Sequence, residues 1–301
     1  MRDDESIGDR QVLAVGGREV ADYRWLPKLA TTLSPRPFLH PVRTLAGTRV
    51  TELMPADHPH HLGVSVAVPD AGGVNFWGGR TFVRGRGSVL LPNHGVQRHV
   101  RLNRQGGNVI EPELEWIAPE GAVLLRERRR VAAVPLSDTA WALDFAFALT
   151  NATAGPLGFA SPQVNGRPGA GYGGFFWRAP MSKSECEGNV RVLGPGLEGE
   201  EALHGASTPW LGLNGFAPAP WTLVFIAAGG EGDPWFVRSG DYVGVGTSLA
   251  LAEPLVVGPG AVLSRRIITV VADDTLTEKS MAAITETVAS HPDLGPNWVP
   301  D

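Results

Sequence analysis

Cysteine is almost absent from this chain, because Cys186 is the only one in 301 residues. A single thiol excludes an internal disulfide and a zinc cluster built on several cysteines. Basic charge is also scarce: 26 Lys and Arg residues stand against 31 Asp and Glu residues, a net charge of -5. Nucleic-acid-binding proteins usually carry a basic face, so this balance argues against a nucleic-acid partner.

Long apolar runs are missing as well. No stretch of the sequence approaches the roughly 20 apolar residues that a membrane-spanning helix needs. The first ten residues, MRDDESIGDR, are charged and contain no apolar core of a signal peptide. We therefore expect a soluble, cytoplasmic protein with no membrane partner.

Several catalytic signatures are absent too. The sequence contains no Walker-type phosphate loop, no Gly-x-Ser-x-Gly nucleophile elbow and no His-Glu-x-x-His zinc motif. It also lacks a dinucleotide fingerprint that opens a βαβ unit. Any chemistry in this chain must therefore come from a less common arrangement of residues.

Turn formers and alternating apolar residues are abundant. Glycine (38) and proline (25) are well above typical usage, which indicates many turns. In residues 140–150, AWALDFAFALT, every second side chain is large and apolar, as in a half-buried strand. Similar segments occur at 122–134, 220–228 and 261–271, and about 15 to 17 strands are predicted over the whole chain.

One long helix is predicted near the C-terminus, over about residues 274–290. Thr275 and Glu278 fit a capping box at its start. Its apolar stripe consists of Met281, Ile284 and Val288. The residues after it, 291–301, are predicted to form an extended tail.

The composition does not shift along the chain, so the sequence predicts a single domain over residues 1–301. So many strands in a chain of this size favour an all-β fold in which two large antiparallel sheets pack face to face. We expect a large two-sheet β-sandwich with one C-terminal helix. Sandwiches of this kind place ligands on a sheet face or at a rim where loops converge.

Three of the eight histidines lie within four positions of the segment ADHPHHLG, residues 56–63. Proline cannot donate to a sheet ladder, so His58 and His60, on either side of Pro59, are predicted in a turn. His61 then opens a strand and shares one face with the small residues at 63, 65 and 67, which leaves room for a ligand.

This histidine cluster has three interpretations that the sequence leaves open. His58 and His61 could bind a divalent metal ion with a third ligand from elsewhere. The histidines could instead act as acids, bases or hydrogen-bonding groups in a pocket, with Asp57 or Glu52 tuning them. The third interpretation is a purely structural turn.

Three motifs rich in glycine or proline carry the remaining candidate residues. They are GGVNFWGG (72–79), NGRPGAGYGGFFWRAP (165–180) and DPWFVR (233–238). Flat aromatic faces suit the C–H faces of a sugar, and amides and guanidinium groups suit its hydroxyls. We predict that one pocket containing the histidines is also lined by Arg43 and by five residues of these motifs: Asn75, Trp77, Tyr172, Arg178 and Arg238.

The segment RPFLHPVRTLAGTRVTELMPADHPHHLGVSVAV, together with GGVNFWGG, GAGYGGFFWRAP and DPWFVRSGDYVGVGTSLAL, resembles a bacterial family labelled PmoA-like or "methane oxygenase PmoA". The resemblance covers roughly residues 35–275. The label implies a copper membrane enzyme, and the lack of a membrane-spanning segment contradicts methane oxidation. Genes of this family commonly lie beside sugar transporters and sugar oxidoreductases, which implies carbohydrate metabolism and a functional partnership with a sugar oxidoreductase.

The order of the motifs and the number of strands are also similar to those of galactose-mutarotase-like β-supersandwich proteins. That resemblance implies a sugar bound on a concave sheet by histidines and a carboxylate. The mutarotase signature itself is not matched in this sequence.

We expect an enzyme that acts on a sugar or glycoside, and first of all one that cleaves an oxidised 3-keto glycoside by β-elimination. The candidate catalytic residues are His58, His60, His61, Arg43 and Arg178, with Asn75, Trp77, Tyr172 and Arg238 binding the substrate. A histidine would act as the base, and a divalent metal or an arginine would stabilise the enediolate. The alternatives are a mutarotase- or epimerase-like isomerase and a non-catalytic carbohydrate-binding module.

Overall fold

The computed structural model describes residues 9–181, 186, 188–228 and 232–294. The strands in chain order are β1 (Arg10–Val15), β2 (Arg18–Arg24), β3 (Phe38–Val42), β4 (Val64–Ala67), β5 (Asp70–Ala71), β6 (Thr81–Val83), β7 (Gly87–Val89), β8 (Val96–Gly106), β9 (Val109–Ile117), β10 (Val123–Pro135), β11 (Ala140–Asn151), β12 (Leu157–Ala160), β13 (Gly174–Arg178), β14 (Val190–Gly194), β15 (Leu197–Glu198), β16 (Trp210–Gly215), β17 (Trp221–Ala228), β18 (Trp235–Arg238), β19 (Gly244–Thr247), β20 (Leu255–Val257) and β21 (Val262–Ala272). The helices are α1 (Glu200–Leu203) and α2 (Glu278–Ser290), with short 3-10 helices at Thr31–Leu33 and Pro292–Leu294.

Two large sheets form the body of the protein. The seven-stranded sheet has the order β1-β2-β3-β4-β13-β19-β18, and the nine-stranded sheet has the order β15-β14-β16-β17-β21-β11-β10-β9-β8. The paired strands within each sheet run antiparallel. A three-stranded sheet (β20-β12-β5) and the hairpin β6-β7 complete the strands. The predicted all-β fold of two large antiparallel sheets is confirmed.

Every second side chain of the long strands points into the core between the two large sheets. In β11 the odd-numbered side chains from Trp141 to Leu149 are buried in one hydrophobic cluster, and the Phe145 ring lies 5.4 Å from that of Phe175 in β13. The even-numbered face of β11 packs with α2, whose Met281 and Val288 are buried there. The part of the nine-stranded sheet under α2 is therefore covered on both faces.

The seven-stranded sheet presents its second face to a different cluster. In β13, Phe175 and Trp177 belong to the main core, whereas Phe176 between them joins a small cluster with Trp77 and Phe236. Because neighbouring side chains of a strand point to opposite faces, this cluster lies on the side of the sheet turned away from the nine-stranded sheet. The candidate site is built on that face.

The C-terminal helix begins later than predicted. Its N-cap is Thr277, whose side chain accepts a hydrogen bond from the Ser280 N–H, so the predicted cap at Thr275 is wrong. The preceding segment cannot join the helix because the Leu276 N–H donates to Asn214 Oδ1 and to a hydroxyl of β17.

After α2, residues 292–294 form a 3-10 helix, and the rest of the predicted extended tail lies outside the described residues. The prediction of a single helix is also incomplete, since α1 adds one turn before β16. Within the described ranges, no helix combines the length and apolar character needed to cross a membrane.

Candidate functional site

The loop that carries the histidines is held by its own backbone. The His58 N–H donates to the Pro55 carbonyl at 2.9 Å, and the His61 N–H donates to the His58 carbonyl at 2.9 Å. Gly63 ends the loop with φ +45°, and a Cβ at that position would lie 2.1 Å from the Leu39 carbonyl oxygen. Only glycine fits this close approach to β3, and it fixes where the histidines enter the sheet.

All three histidines line one pocket of about 520 Å³. That volume falls within the range of about 300–1,000 Å³ that is usual for small-molecule sites. Trp77, Tyr172 and Arg238, predicted from three distant motifs, line the same pocket. The structure therefore brings these six predicted residues together.

Aromatic and imidazole rings form the walls of the pocket. His61 stacks on His58 with ring centroids 4.6 Å apart and planes at 21°, and it meets the edge of Phe176 at 5.1 Å. On another wall the rings of Trp77 and Tyr172 lie 4.4 Å apart. These flat surfaces leave a slot whose walls are rings and whose edges carry polar and charged groups.

Asp57 and His58 form an acid–imidazole pair at the mouth. The Asp57 Oδ2 atom lies 3.0 Å from His58 Nδ1, which is an ion-pair distance, although the two groups are not aligned as a hydrogen bond. Burial opposes ionisation of Asp57, but His58 beside it lowers the pKa of this carboxyl below its usual value. With Nδ1 facing the carboxylate, Nε2 is the His58 nitrogen left to face a ligand.

His60 and His61 lie deeper and are electrically neutral. Burial, and then the charge of Arg36, lowers the pKa of His60 to about 3. Burial and the neighbouring imidazoles lower the pKa of His61 well below its usual value, and its side chain is 2% exposed. Among the described residues, the Nδ1 atom of His61 has no hydrogen-bond partner.

Two predicted residues lie behind the wall and do not line the pocket. Asn75 is 1% exposed, and its Oδ1 accepts hydrogen bonds from the N–H groups of Trp77 and Gly78, both at 2.8 Å. Its amide therefore shapes the turn that presents Trp77. Arg178 is also 1% exposed, and its guanidinium lies 5.0 Å from the centre of the Tyr242 ring, which does line the pocket.

Arg43 lies outside the pocket altogether. Its backbone pairs with Arg49, and its carbonyl accepts a hydrogen bond from the Trp141 indole at 2.9 Å. The prediction that Arg43 shares the site fails because the residue sits past the end of β3, where its charge acts on Asp22 and His40.

Several pocket residues escaped the sequence reasoning. Tyr242 lies with its ring 5.0 Å from His58 and 5.2 Å from His61. Arg80 and Arg167 line the mouth, and both are exposed. Tyr242 lies just after the DPWFVR motif and was not among the candidates, and nothing distinguishes the two arginines among the many arginines of this chain. The strand period does separate Phe236, which faces the pocket, from its core neighbours.

The histidines do not fit a metal site. In the described part of the chain, no group of three or more His, Cys, Asp or Glu side chains is placed to hold an ion. The rings of His58 and His61 stack almost parallel, so their nitrogens do not converge on one point. A metal bound by these two residues stays a prediction without a third ligand.

A second, larger groove of about 1020 Å³ lies near the segment of residues 78–80. Its lining is mainly apolar and includes Trp25, Leu26 and Leu90. His94 closes its inner side, and its Nε2–H donates a hydrogen bond to the Gly79 carbonyl at 2.7 Å. We assign the candidate site to the smaller pocket because the titratable groups converge there.

Comparisons with known proteins add a family and a distant structural likeness. A family model described as a family of unknown function (DUF6807) matches residues 10–286. No curated protein matches the sequence. One similar solved structure is a galactose mutarotase related enzyme from Lactobacillus acidophilus, at 9% identity and a TM-score of 0.41, covering 89% of this chain and 100% of that one. Neither finding carries the PmoA label.

Proposed function

The chain belongs to DUF6807, a family of unknown function, and we propose that this member is an enzyme that acts on a sugar or glycoside. More specifically, it cleaves an oxidised 3-keto glycoside by β-elimination, with His58 as the base. The observation that carries the proposal is the Asp57–His58 pair at the mouth of a pocket with aromatic walls.

The shape of the pocket supports a carbohydrate ligand. A pyranose ring has flat C–H faces and a rim of hydroxyls, so it packs against aromatic rings and needs polar groups at its edge. Trp77 and Tyr172 supply such a surface. The neutral imidazoles of His60 and His61 each provide one hydrogen-bond donor and one acceptor.

The proposed reaction begins with the acidity that a ketone at C3 gives to the C2 proton. His58 Nε2 removes this proton, and the electron pair of the C2–H bond moves toward the C3 oxygen as an enolate. The enolate then collapses, the C1–O bond breaks, and a C1=C2 double bond forms in conjugation with the C3 ketone. The proton on His58 passes to the departing oxygen, so the products are an enone sugar and a free alcohol.

Tyr242 is the group in this pocket best suited to stabilise the enolate. Burial raises the pKa of its phenol above the usual value, so the hydroxyl keeps its proton and stays a hydrogen-bond donor. Its ring packs against both His58 and His61. A neutral donor fixed beside the base stabilises developing negative charge without reorganising during the reaction.

The proposal is tested by incubating the protein with the 3-keto derivatives of methyl glucoside and methyl galactoside and following the products by mass spectrometry. Release of methanol together with the enone sugar supports elimination. A change in configuration without loss of methanol would replace it with an isomerase, and binding without any product would replace it with a carbohydrate-binding module.

Two histidine variants test whether His58 is the base that removes the C2 proton. His58→Gln should lower the elimination rate by about 10²–10⁴-fold, the usual contribution of a positioned base. His40→Gln is the matched control, since His40 is a buried histidine that bonds Thr51 outside the pocket. Equal rates in His58→Gln and the unaltered protein would remove His58 from the mechanism.

A further inference from the structure

A buried arginine that the proposed reaction does not use lies directly behind the histidine wall. Arg36 is 1% exposed. Its Nη2 donates to the His60 carbonyl at 2.8 Å, its Nη1 to the Trp77 carbonyl at 3.0 Å, and its Nε to Ser65 Oγ at 3.1 Å. All of these acceptors are neutral, so they satisfy the N–H groups and leave the positive charge uncompensated.

A second buried arginine also acts on His61. Arg178 donates through Nη1 to the carbonyls of Val243 at 2.8 Å and Ala179 at 2.9 Å, and its Nε has no hydrogen-bond partner among the described residues. Its guanidinium is separated from the pocket by the Tyr242 ring. Among the described residues, neither Arg36 nor Arg178 has a carboxylate oxygen within the 4.0 Å of an ion pair.

The charges around the pocket contrast with those of the chain as a whole. Among the described residues, five guanidinium groups line or underlie the pocket, against four carboxylates at its edge or behind it. The chain itself has a net charge of -5. The guanidinium groups belong to Arg36, Arg80, Arg167, Arg178 and Arg238, and the carboxylates to Asp57, Glu200, Asp241 and Glu52, the last of which acts on Arg178.

Such a set of buried cations is unfavourable without a nearby anion. Removing a cation from water without a counter-ion destabilises its charged form, and a charge inside the protein acts over a longer range than one in water. Burial lowers the pKa of Arg36 to about 9 and also lowers the pKa of Arg178, as expected for cations removed from water. Both cations act on His61. A bound anion on this wall would offset the cost.

We propose that the ligand of this pocket carries a negative charge, as a uronate or aldonate does, and that its carboxylate lies against the His60–His61 wall, where the charges of Arg36 and Arg178 act. This inference rests on the proposed function, because the same pocket holds the sugar. It narrows the substrate class to sugar acids, which the neutral imidazoles would bind through ring N–H groups while the two arginines supply the charge.

Calorimetric titration with matched sugar pairs tests the inference without requiring turnover. The pairs are glucuronate with glucose, galacturonate with galactose, and gluconate with glucitol. For at least one pair, the acid should bind about tenfold more tightly than its neutral partner, and rising salt should reduce this preference.

Three variants locate the charge that gives the preference. Arg178→Gln should reduce it, and Arg80→Gln and Arg167→Gln should do so at exposed positions where folding is not at risk. Arg104→Gln, an equally exposed change on β8 outside the pocket, is the matched control and should leave it unaltered.

The failures of the two proposals can be told apart. Binding of a neutral sugar as tightly as its acid overturns the charge preference and leaves the proposed function standing. A preference that is undiminished in Arg178→Gln also overturns it, because Arg178 is one of the two cations assigned to the carboxylate. Binding of no sugar in any pair contradicts the proposed function, and the charge preference falls with it.

Discussion

Lowering the pH from 7 to 5 should destabilise the folded protein through its buried histidines. Burial lowers the pKa of His40 and His60 to about 3, and lowers that of His61 well below its usual value, whereas the unfolded chain has the ordinary value of 6.5. Above pH 6.5 neither state binds a proton at these rings. Below it only the unfolded state does, so the free energy of unfolding decreases as the pH falls toward 3.

The expected size of this effect follows from the number of protons. Each histidine that stays neutral in the folded state reduces the free energy of unfolding by about 1.4 kcal/mol per pH unit below pH 6.5. Between pH 7 and 5 this is about 2 kcal/mol for each ring, which is a large part of the 5–15 kcal/mol typical of a folded domain. The lower limit of pH 5 lies above the pKa of most carboxylates, so the titration of carboxylates contributes little to the change in stability over this range.

Urea unfolding followed by tryptophan fluorescence at pH 7, 6 and 5 measures the effect. His61→Gln and His40→Gln should each reduce the slope of stability against pH by about 1.4 kcal/mol per pH unit. His40→Gln should do so without altering ligand binding, because His40 lies outside the pocket. A free energy of unfolding that stays constant from pH 7 to 5 would refute the account of neutral, buried imidazoles.

Other predictions concern the frame of the pocket and its metal content. Gly63→Ala should lower the free energy of unfolding by at least about 3 kcal/mol, since the new Cβ would collide with the Leu39 carbonyl at a positive φ; a loss below about 1 kcal/mol in chemical denaturation would contradict this reasoning. Asn75→Ala leaves the N–H groups of Trp77 and the next glycine unpaired. This substitution should lower the free energy of unfolding by about 2–4 kcal/mol and weaken ligand binding. An unchanged affinity would show that this turn does not shape the binding site. Treatment with a chelator should leave the thermal midpoint and turnover unaltered, because no described group of three ligands is arranged for a metal; a loss restored by a divalent ion would contradict that.

The architecture was accessible from the sequence because it depends on a local period. The alternating face of β11 and the opposite faces of Val64 and Ser65 in β4 are properties of neighbouring residues, and the structure places them as the period predicts. The start of α2 was misplaced because the hydrogen bonds of Asn214 to Leu276 come from a distant strand.

The candidate site was only partly accessible. Motif composition identified Trp77, Tyr172 and Arg238 as pocket residues, because aromatic residues beside glycines in three separate segments are unusual for a core. It could not separate residues that line the pocket from those one layer behind it, such as Asn75. Nor could it reveal Arg36. The partners of its guanidinium are carbonyl groups of residues distant in sequence, and only the structure shows them.

The central claim is that His58, paired with Asp57, removes the C2 proton of a keto sugar. Proton NMR of a 3-keto glycoside in D₂O tests this step directly, because the C2 proton signal disappears whenever the proton is removed and replaced. We predict that the protein accelerates this loss well beyond the buffer rate, that His58→Gln abolishes the acceleration, and that His40→Gln retains it. Loss of the C2 proton no faster than in buffer, or undiminished in His58→Gln, would contradict the account.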